Sequence, residues 1–188
     1  MVTGCPALPV VLASASPRRR ELLARAGIGV EVLAPAVPEE RAPGEAPEVF
    51  ATRVALAKAF AVARRLGREP RRVVLAADTI VVQGDLVLGK PRDAAEAASH
   101  LRRLVGRRHR VLTAVAVIDS ATLEARHALV ESRVALRPAS EAEIAAYAAQ
   151  GEGRRFITSI EGSETNVIGL PLEESLALLR EAGVEANR

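Results

Sequence analysis

The sequence predicts an α/β protein in which helices flank a mixed β-sheet. Segments with helical spacing of apolar residues alternate with short apolar runs, and some of these runs are joined as hairpins. The 188 residues are 49% hydrophobic and 26% charged, which is typical of a globular domain and excludes a disordered chain. We therefore expect residues 1–188 to form a single domain.

The first elements follow from capping and turn residues. Pro9–Ala13 is an apolar run that predicts a buried strand, and Ser16-Pro17 then supplies an N-cap and a first helical residue. This helix is expected to end at Gly27. A second strand is predicted over 30–34, and the four prolines of 35–47 predict a loop.

The central part of the chain contains the longest predicted helix and strand. Apolar side chains recur at helical spacing from Pro47 to Leu66, and Gly67 ends this helix. Val73–Val82 is rich in β-branched residues and predicts a central strand, after which Gly84-Asp85 predicts a hairpin turn.

The same signals predict the remaining elements. These are a helix capped by Asp93 and Glu96 and ending at Gly106, antiparallel strands over 111–118 and 128–136, a helix capped by Ser140 and Glu143 and ending at Gly151, a strand over 156–160, and a helix from Pro171 to Gly183.

Composition restricts the classes of function. Aromatic residues make up only 2% of the chain, which argues against the stacking platforms of single-stranded nucleic-acid binders. The net charge of +3 suits anionic small molecules and does not indicate a DNA-binding protein. Among 26 Lys and Arg residues only Lys58 and Lys90 are lysines, so they are candidates for positions that need a compact point charge. Chance retention of two lysines is the alternative.

Cysteine usage and hydropathy indicate the compartment. Cys5 is the only cysteine, so no internal disulfide can form and a reducing compartment fits best. No apolar run approaches the roughly 18 residues of a membrane span. The apolar stretch 7–13 has no Lys or Arg before it, unlike a signal peptide. We expect a cytoplasmic protein without a membrane partner.

Three groups of residues are candidates for chemistry, and the first is the segment SASPRRR at 14–20. It lies where a predicted strand meets a helix, so free backbone N–H groups and the positive helix end form an anion site. Ser14 adds a hydroxyl donor, and Arg18 and Arg19 add forked donors for phosphate oxygens. An ordinary N-cap with solvated arginines is the alternative.

The second candidate is Asp78, which lies in the middle of the most apolar predicted strand. An unpaired carboxylate is costly there, so we expect it to be paired with a cation, bound to a metal or held as a general base. A purely structural salt bridge is one alternative. The other is a strand that ends at Ala77 and leaves Asp78 in a turn.

The third candidate group contains both lysines. Lys90 lies in a Gly-Lys-Pro turn, and Lys58 lies on or beside the apolar face of the long helix, where its ammonium is expected to be partly desolvated. Together with the arginines and Asp78 they form a candidate phosphate and metal site. Glu39-Glu40, in the proline-rich loop, is a weaker candidate for a further carboxylate.

Other signals are weaker. The basic cluster between Arg102 and Arg110 is interpreted as a solvated helix end and strand entry, with nucleic-acid contact as the minor alternative. The three histidines, His100, His109 and His127, have no metal-ligand spacing. Neither a nucleophile elbow nor a P-loop pattern occurs.

Several sequence blocks occur in a fixed order along nearly the whole chain. They are LASASPRRRELL at 12–23, AKA at 57–59, ADT at 77–79, LGKP at 88–91, L-x-x-L-x-G-x-x-H-x-V-x-T at 101–113, Glu143-Ile144 with Tyr147 and Gly151-Glu152, and NVIGLPL at 166–172. In this combination the chain resembles the Maf family, also called septum formation proteins, whose members act as nucleoside triphosphate pyrophosphatases.

The resemblance implies an elongated mixed sheet with a central cleft between two lobes, as in inosine triphosphatase-like proteins. It also implies hydrolysis of a nucleoside triphosphate to the monophosphate and diphosphate with a divalent metal, Mg²⁺ or Mn²⁺. The matching positions are Ser14, Arg18, Arg19 and Thr79 for substrate binding, Lys58, Asp78 and Lys90 for catalysis, and Glu39 and Asp78 for the metal. Asp78 is our general base, and a homodimer is left open.

One departure from the family pattern concerns base recognition. A stretch such as Lys-Ala-Gly-x-Tyr-x-Ile-Gln-Gly, whose glutamine contacts the substrate in typical members, is missing between Glu152 and Asn166. Arg154 and Arg155 are candidates for supplying charge there, and Glu164 stands where a tyrosine is common. Since fewer contacts to base edges mean weaker discrimination, we expect a working but weakly selective enzyme, with dTTP and UTP as first candidates.

Two interpretations from other classes stay open. One is a non-catalytic nucleotide-binding regulator of cell division that kept the phosphate site and lost part of the substrate loop. The other is a nucleic-acid binder that uses the arginine cluster, which the scarcity of aromatic residues disfavours. Release of diphosphate separates an enzyme from the regulator, and a steep fall of affinity with salt marks the nucleic-acid binder.

Overall fold

A computed structural model describes residues 8–150 and 153–185 of the chain. Its strands are β1 (Val10–Leu12), β2 (Val30–Val32), β3 (Val73–Gln83), β4 (Leu86–Leu88), β5 (Arg108–Asp119), β6 (Ala125–Leu136) and β7 (Ile157–Glu161). Its α-helices are α1 (Pro17–Arg25), α2 (Pro47–Leu66), α3 (Ala94–Leu104), α4 (Glu141–Gln150), α5 (Glu164–Ile168) and α6 (Leu172–Glu181). The predictions about Cys5 and about Gly151-Glu152 lie outside the described residues.

The seven strands form one mixed sheet, which confirms the predicted α/β class. The strand order is β2-β1-β3-β5-β6-β7, and β4 also pairs with β3. β1 runs parallel to both β2 and β3, whereas all later pairings are antiparallel. A short parallel unit at one side therefore continues into an antiparallel meander, with β3 at the junction.

Helix α2 covers one face of the sheet. Its buried side chains pack on the residues of β3 and β5 that point to the same side, including Val74, Ile80 and Leu112. Four alanines at a spacing of four, Ala51, Ala55, Ala59 and Ala63, are 0–1% exposed and let the helix axis lie close to the strands.

The opposite face is covered by other helices. Leu22 and Leu23 of α1 and Leu178 and Leu179 of α6 pack there on a second buried cluster with the alternate residues of β3. A third and smaller cluster joins α3 and α4 around Phe156. This separate cluster agrees with the second lobe that the family resemblance implies.

Most predicted boundaries are correct to within a few residues, and the exceptions have local causes. The prediction missed α5, which has only five residues and is capped by the Ser163 side chain. Asp93 caps α3 as predicted, but the Glu96 carboxylate accepts from the Arg92 N–H, so the capping box is only half formed. Each helix in the described ranges is too short or too polar to span a lipid bilayer.

Candidate active site

The candidate site lies at a gap along one edge of β3. β1 pairs with Val73–Leu75, and β4 pairs with Val81–Gln83 of the same strand. The segment 76–80 between these two pairings has β5 on its other side and no strand on this one within the described residues. Asp78 and Thr79 lie in this gap on successive positions, so their side chains point to opposite faces of the sheet.

Asp78 is buried on the α2 face and forms an ion pair with Lys58. Lys58 Nζ lies 2.8 Å from Asp78 Oδ1 and 2.9 Å from Glu39 Oε1, so one ammonium bridges two carboxylates. The prediction of a cation partner for Asp78 is confirmed, and so is the prediction of a desolvated Lys58, since both residues are buried. The alternative that Asp78 is a turn residue is wrong, because β3 continues to Gln83.

Glu39 joins this cluster from the loop between β2 and α2. Its side chain remains 56% exposed, although its carboxylate reaches the buried Lys58. The sequence alone made Glu39 only a weak candidate, since two glutamates in a proline-rich loop have no pattern that fixes their direction. The structure brings Glu39, Lys58 and Asp78 together.

Thr79 lies on the α1 face and belongs to a hydrogen-bond network centred on Arg19. The Arg19 guanidinium donates to Gly169 O at 2.8 Å, to Ser14 Oγ at 3.0 Å, to Ala77 O at 2.8 Å and to Thr79 Oγ1 at 3.1 Å. Four of its five N–H groups are therefore used within the protein. Burial lowers the pKa of Arg19, although the carboxylates of Asp78 and Glu39 oppose this shift.

Ser14 lies three residues before α1, and its hydroxyl proton has no acceptor among the described residues. Its Oγ accepts from the Arg19 guanidinium and from the Ser16 N–H, and its side chain is buried. A hydroxyl that already accepts twice is oriented to donate, so Ser14 can offer its proton to a phosphate oxygen. Ser14, Ser16 and Arg20 also line a small pocket at this helix end.

Arg18, in the first turn of α1, and Lys90, which follows β4, are both exposed. Neither makes an ion pair or a side-chain hydrogen bond with another described residue, so both cations are available to an anion. The β3–β4 register pairs Val81 with Leu88, and its continuation puts Lys90 opposite Thr79. Lys90 therefore follows β4 by two residues, next to the gap.

Three residues that sequence reasoning did not single out contact Thr79 or its hydrogen-bond partners: Thr113, Asn166 and Gly169. Thr113 Oγ1 lies 3.0 Å from Thr79 Oγ1 and donates to Asn166 O, and Gly169 O accepts from Arg19. Gly169 has φ 125°, a conformation that other residues adopt at a cost. All of them fall within the family motifs, which was the only signal available for them.

The arginines of the basic cluster are mostly exposed, and three of them also form ion pairs. Arg102 pairs with Glu141, Arg108 pairs with Glu161, and Arg110 contacts both Glu48 and Glu131. Three of the five arginines of the cluster thus have a carboxylate partner among the described residues. The interpretation of this segment as a solvated helix end and strand entry is confirmed, because α3 ends at Leu104, β5 begins at Arg108, and the side chains of Arg102 and Arg108 are 50% and 71% exposed.

The segment with the departure from the family pattern also contains an ion pair. Arg154 Nη2 lies 2.6 Å from Glu164 Oε1, and both side chains are mostly exposed. The Arg155 guanidinium lies 5.3 Å from the centre of the Phe156 ring. Arg154 is therefore paired with the residue that replaces the common tyrosine.

Glu39 and Asp78 are the described residues that suit a divalent metal. No group of three or more His, Cys, Asp or Glu side chains in the described ranges is placed to hold an ion. Mg²⁺ commonly binds through one or two carboxylates together with substrate phosphates. The pair fits an ion that arrives with a triphosphate better than one that resides in the protein alone.

Comparison with known proteins identifies the family. The Maf family model, described as Maf-like protein, matches residues 9–182. A dTTP/UTP pyrophosphatase of Burkholderia pseudomallei (strain 1710b) is 46% identical over 204 aligned positions, which cover 96% of this chain and 97% of that protein. Since this alignment has more positions than our chain has residues, that relative carries insertions.

Further similarities were found to a second relative and to a solved structure. A dTTP/UTP pyrophosphatase of Anaeromyxobacter dehalogenans (strain 2CP-1) is 48% identical over 190 positions, covering 93% of this chain and 94% of that protein. The crystal structure of a nucleoside-triphosphatase / dITP/XTP pyrophosphatase from Mycobacterium abscessus has a TM-score of 0.44 and 20% identity, covering 69% of this chain and 74% of that chain. The family match and the identity to relatives of similar length show that this chain belongs to the Maf family.

Proposed function

We propose that this protein is a nucleoside triphosphate pyrophosphatase. It adds water across the bond between the α- and β-phosphates and releases a nucleoside monophosphate and diphosphate. The relatives named dTTP/UTP pyrophosphatase support this activity and make dTTP and UTP the first candidate substrates. The observation that carries the proposal is the bridging of Glu39 and Asp78 by Lys58 at the gap in the sheet.

In this proposal, three uncommitted groups bind the triphosphate. Arg18 and Lys90 are exposed cations, and the Ser14 hydroxyl is a donor at the positive end of α1. Neutralising charge on the phosphate oxygens and fixing the chain in line with the attacking water are the main requirements of phosphoryl transfer. Arg19 acts mainly by holding Ser14 and Thr79, with one N–H left for the substrate.

Asp78 is the proposed general base. Lys58 donates to Oδ1 of Asp78, which leaves Oδ2 to take a proton from the attacking water. Lys58 also holds the carboxylate in a fixed orientation and offsets its charge as the triphosphate enters. The proton taken up by Asp78 is released to solvent or to the leaving diphosphate after the bond to the β-phosphate breaks.

Glu39 and Asp78 are also the residues that would hold Mg²⁺ or Mn²⁺ when the ion arrives with the triphosphate. The ion supplies charge to the phosphate oxygens as a Lewis acid when it is bound with the substrate. We further propose that the whole chain forms one domain, and that the protein acts in the cytoplasm on free nucleotides.

A panel of common and modified triphosphates tests this function. The purified protein is incubated with each one and with Mg²⁺ or Mn²⁺, and release of diphosphate is measured beside Asp78→Asn as the inactive control. We expect turnover of several bases, with dTTP and UTP among the best. A preference of two or three orders of magnitude for one base contradicts weak selectivity and points to the Arg154–Glu164 pair as a reader. Binding without diphosphate release identifies the non-catalytic regulator instead.

A further inference from the structure

The Glu39 carboxylate needs a support that the loop itself does not provide. Glu39 lies in the irregular segment between β2 and α2, and more than half of its side-chain surface is exposed. Packing therefore does not hold it in the orientation that reaches Lys58. A carboxylate that acts with a catalytic cluster must be fixed by other contacts, since small displacements cost much of the rate.

Arg53 of α2 provides such contacts. Its Nε donates to Glu45 Oε1 at 2.7 Å, and its Nη2 donates to Glu45 Oε2 at 2.9 Å and to Glu40 O at 2.9 Å. The first two bonds form a bidentate pair with the end of the loop, and the third fixes the carbonyl of the residue that follows Glu39. One guanidinium thus ties two points of the loop, five residues apart, to the helix.

Arg53 and Glu45, which we call the clamp, each make a further contact. The Arg53 guanidinium lies 5.5 Å from the centre of the Phe50 ring, one helical turn before it, and Phe50 is buried. Glu45 also accepts from the Ala42 N–H. The hydrogen bonds from Arg53, and secondly that from Ala42, lower the pKa of Glu45 to about 2, so the carboxylate is ionised throughout the physiological range.

The same helix supplies both the clamp and the lysine. Arg53 and Lys58 are five residues apart on α2, whose buried alanines hold it against the sheet. The same rigid helix therefore positions both the Glu40 carbonyl, which Arg53 holds, and the ammonium of Lys58. We infer that Arg53 is a positioning residue, which holds the Glu39 carboxylate against Lys58 through the Glu40 carbonyl and the Glu45 carboxylate.

This inference rests on the proposed function for its effect on catalysis, but the clamp can be tested without activity. Amide hydrogen exchange is measured in the free protein for Arg53→Ala, Arg53→Lys and Arg65→Ala. Arg65 is the matched control, because it is an exposed arginine on α2 that contacts neither Glu40 nor Glu45. We expect exchange of the two amides in segment 36–45 that donate hydrogen bonds, Ala42 and Glu45, to become roughly tenfold faster in Arg53→Ala, with α2 and the sheet unchanged. Unchanged exchange there overturns the clamp.

The conservative variant distinguishes a geometric role from a charge effect. A lysine keeps the positive charge, but its ammonium cannot bridge a carboxylate and a carbonyl with a planar fork. Arg53→Lys should therefore exchange almost as fast as Arg53→Ala. Exchange equal to that of the wild-type protein in Arg53→Lys would show that charge alone suffices, and the positioning role would be wrong.

The coupling to Glu39 is tested by a double-mutant cycle on diphosphate release. Arg53→Ala should lower kcat/KM roughly tenfold, the lower end of what supporting residues of a metal or catalytic ligand contribute. In a Glu39→Gln background the same change should have an effect of less than about twofold, because the group that it positions is already disabled. A tenfold loss in both backgrounds means that Arg53 acts elsewhere and overturns the inference.

The two hypotheses fail differently. If the wild-type protein hydrolyses no triphosphate, the proposed function is wrong, while the exchange data still decide whether Arg53 holds the loop. If hydrolysis is normal and Arg53→Ala changes neither exchange nor kcat/KM, the proposed function stands and the positioning role is wrong.

Discussion

Asp78 and Thr79 are adjacent in β3, yet they belong to two different kinds of environment. On the α2 face, Asp78 is part of an ionic cluster in which one ammonium serves two carboxylates and Glu39 is still half exposed. On the α1 face, Thr79 is part of a hydrogen-bond network in which Arg19 uses nearly all its donors inside the protein. The first environment can exchange partners when an anion arrives, whereas the second is already satisfied.

The contrast indicates that the Asp78 face takes part in the reaction, whereas the Thr79 face mainly holds the site in shape. A cluster with a spare carboxylate oxygen and an exposed member can bind a cation or take a proton, because its contacts do not use all its capacity. A network in which Arg19 already uses four of its five N–H groups cannot rearrange without leaving buried groups unpaired, so it acts mainly as a frame. We therefore expect substitutions on the Asp78 face to lower activity first, and substitutions on the Thr79 face to lower stability first.

The largest expected effect is that of Asp78→Asn on turnover. The amide cannot accept the proton, and a positioned general base typically contributes 10²–10⁴, so kcat should fall about 100-fold or more. Nucleotide binding, followed by calorimetry, should persist because Arg18, Ser14 and Lys90 are unchanged. A folded Asn variant with near-normal turnover would remove Asp78 from the base role.

On the opposite face, Arg19→Lys should act mainly on stability. A lysine cannot serve the four acceptors of the guanidinium, and each buried acceptor left without a donor costs about 1–3 kcal/mol. We expect the free energy of unfolding, measured with urea, to fall by roughly 2 kcal/mol, which is about 30-fold in the unfolding constant.

Arg20→Lys is the matched control for this change, since Arg20 is exposed on the same helix. The opposite result would show that Arg19 acts in substrate binding rather than in stability. A variant with unchanged stability and a raised KM would mean that the remaining N–H of Arg19 binds phosphate and that its protein contacts matter little.

Replacement of the two lysines tests whether a point charge is needed. Lys58→Arg and Lys90→Arg keep the charge, but a guanidinium is larger and planar, so we expect each to lower kcat/KM roughly tenfold. The loss should be greater for Lys58, which is enclosed between two carboxylates, than for the exposed Lys90. If both variants work normally, the scarcity of lysine in this chain has no functional meaning.

Asp78 and Lys58 on one face, and Ser14 and Arg19 on the other, were predictable from local sequence, but the contacts that join Arg19 to Thr79 and Gly169 were not. An acid inside an apolar run and a lysine in a chain of arginines can be recognised from the sequence alone, because each residue type is unusual in its local context. Arg19 and Gly169 meet across 150 residues, and α5 is too short for a helical period to appear. No local signal could connect them, and the same holds for Glu39, whose direction depends on contacts made by Arg53.

The fold shows a similar division. Long elements such as α2 and β3 were predicted with nearly correct ends, since periodicity over many residues defines them. The order in which strands pair is a tertiary property, and the gap at 76–80 arises only because β1 and β4 pair with different parts of one edge. The candidate site is therefore a consequence of register, which single-sequence patterns do not contain.

The smallest expected effect concerns His109, which lies on the Thr79 face of β5, in alternation with Val111 and Thr113. It is buried, and its Nδ1 has no hydrogen-bond partner among the described residues. Burial lowers the pKa of His109 below its usual value of about 6.5, because the charged imidazolium is poorly solvated there. The folded state therefore binds fewer protons than the unfolded state below that pH.

It follows that stability is fully present above about pH 6.5 and is lost as the pH falls through the unfolded pKa of His109 towards its folded pKa. One proton limits this slope to at most about 1.4 kcal/mol per pH unit. Urea unfolding at several pH values between 7.5 and 5, a range chosen to bracket about 6.5, should show it. His109→Gln should flatten the slope, while His127→Gln, at an exposed position on β6, should keep it. An identical pH dependence in wild type and His109→Gln would mean that protonation of His109 does not limit acid stability.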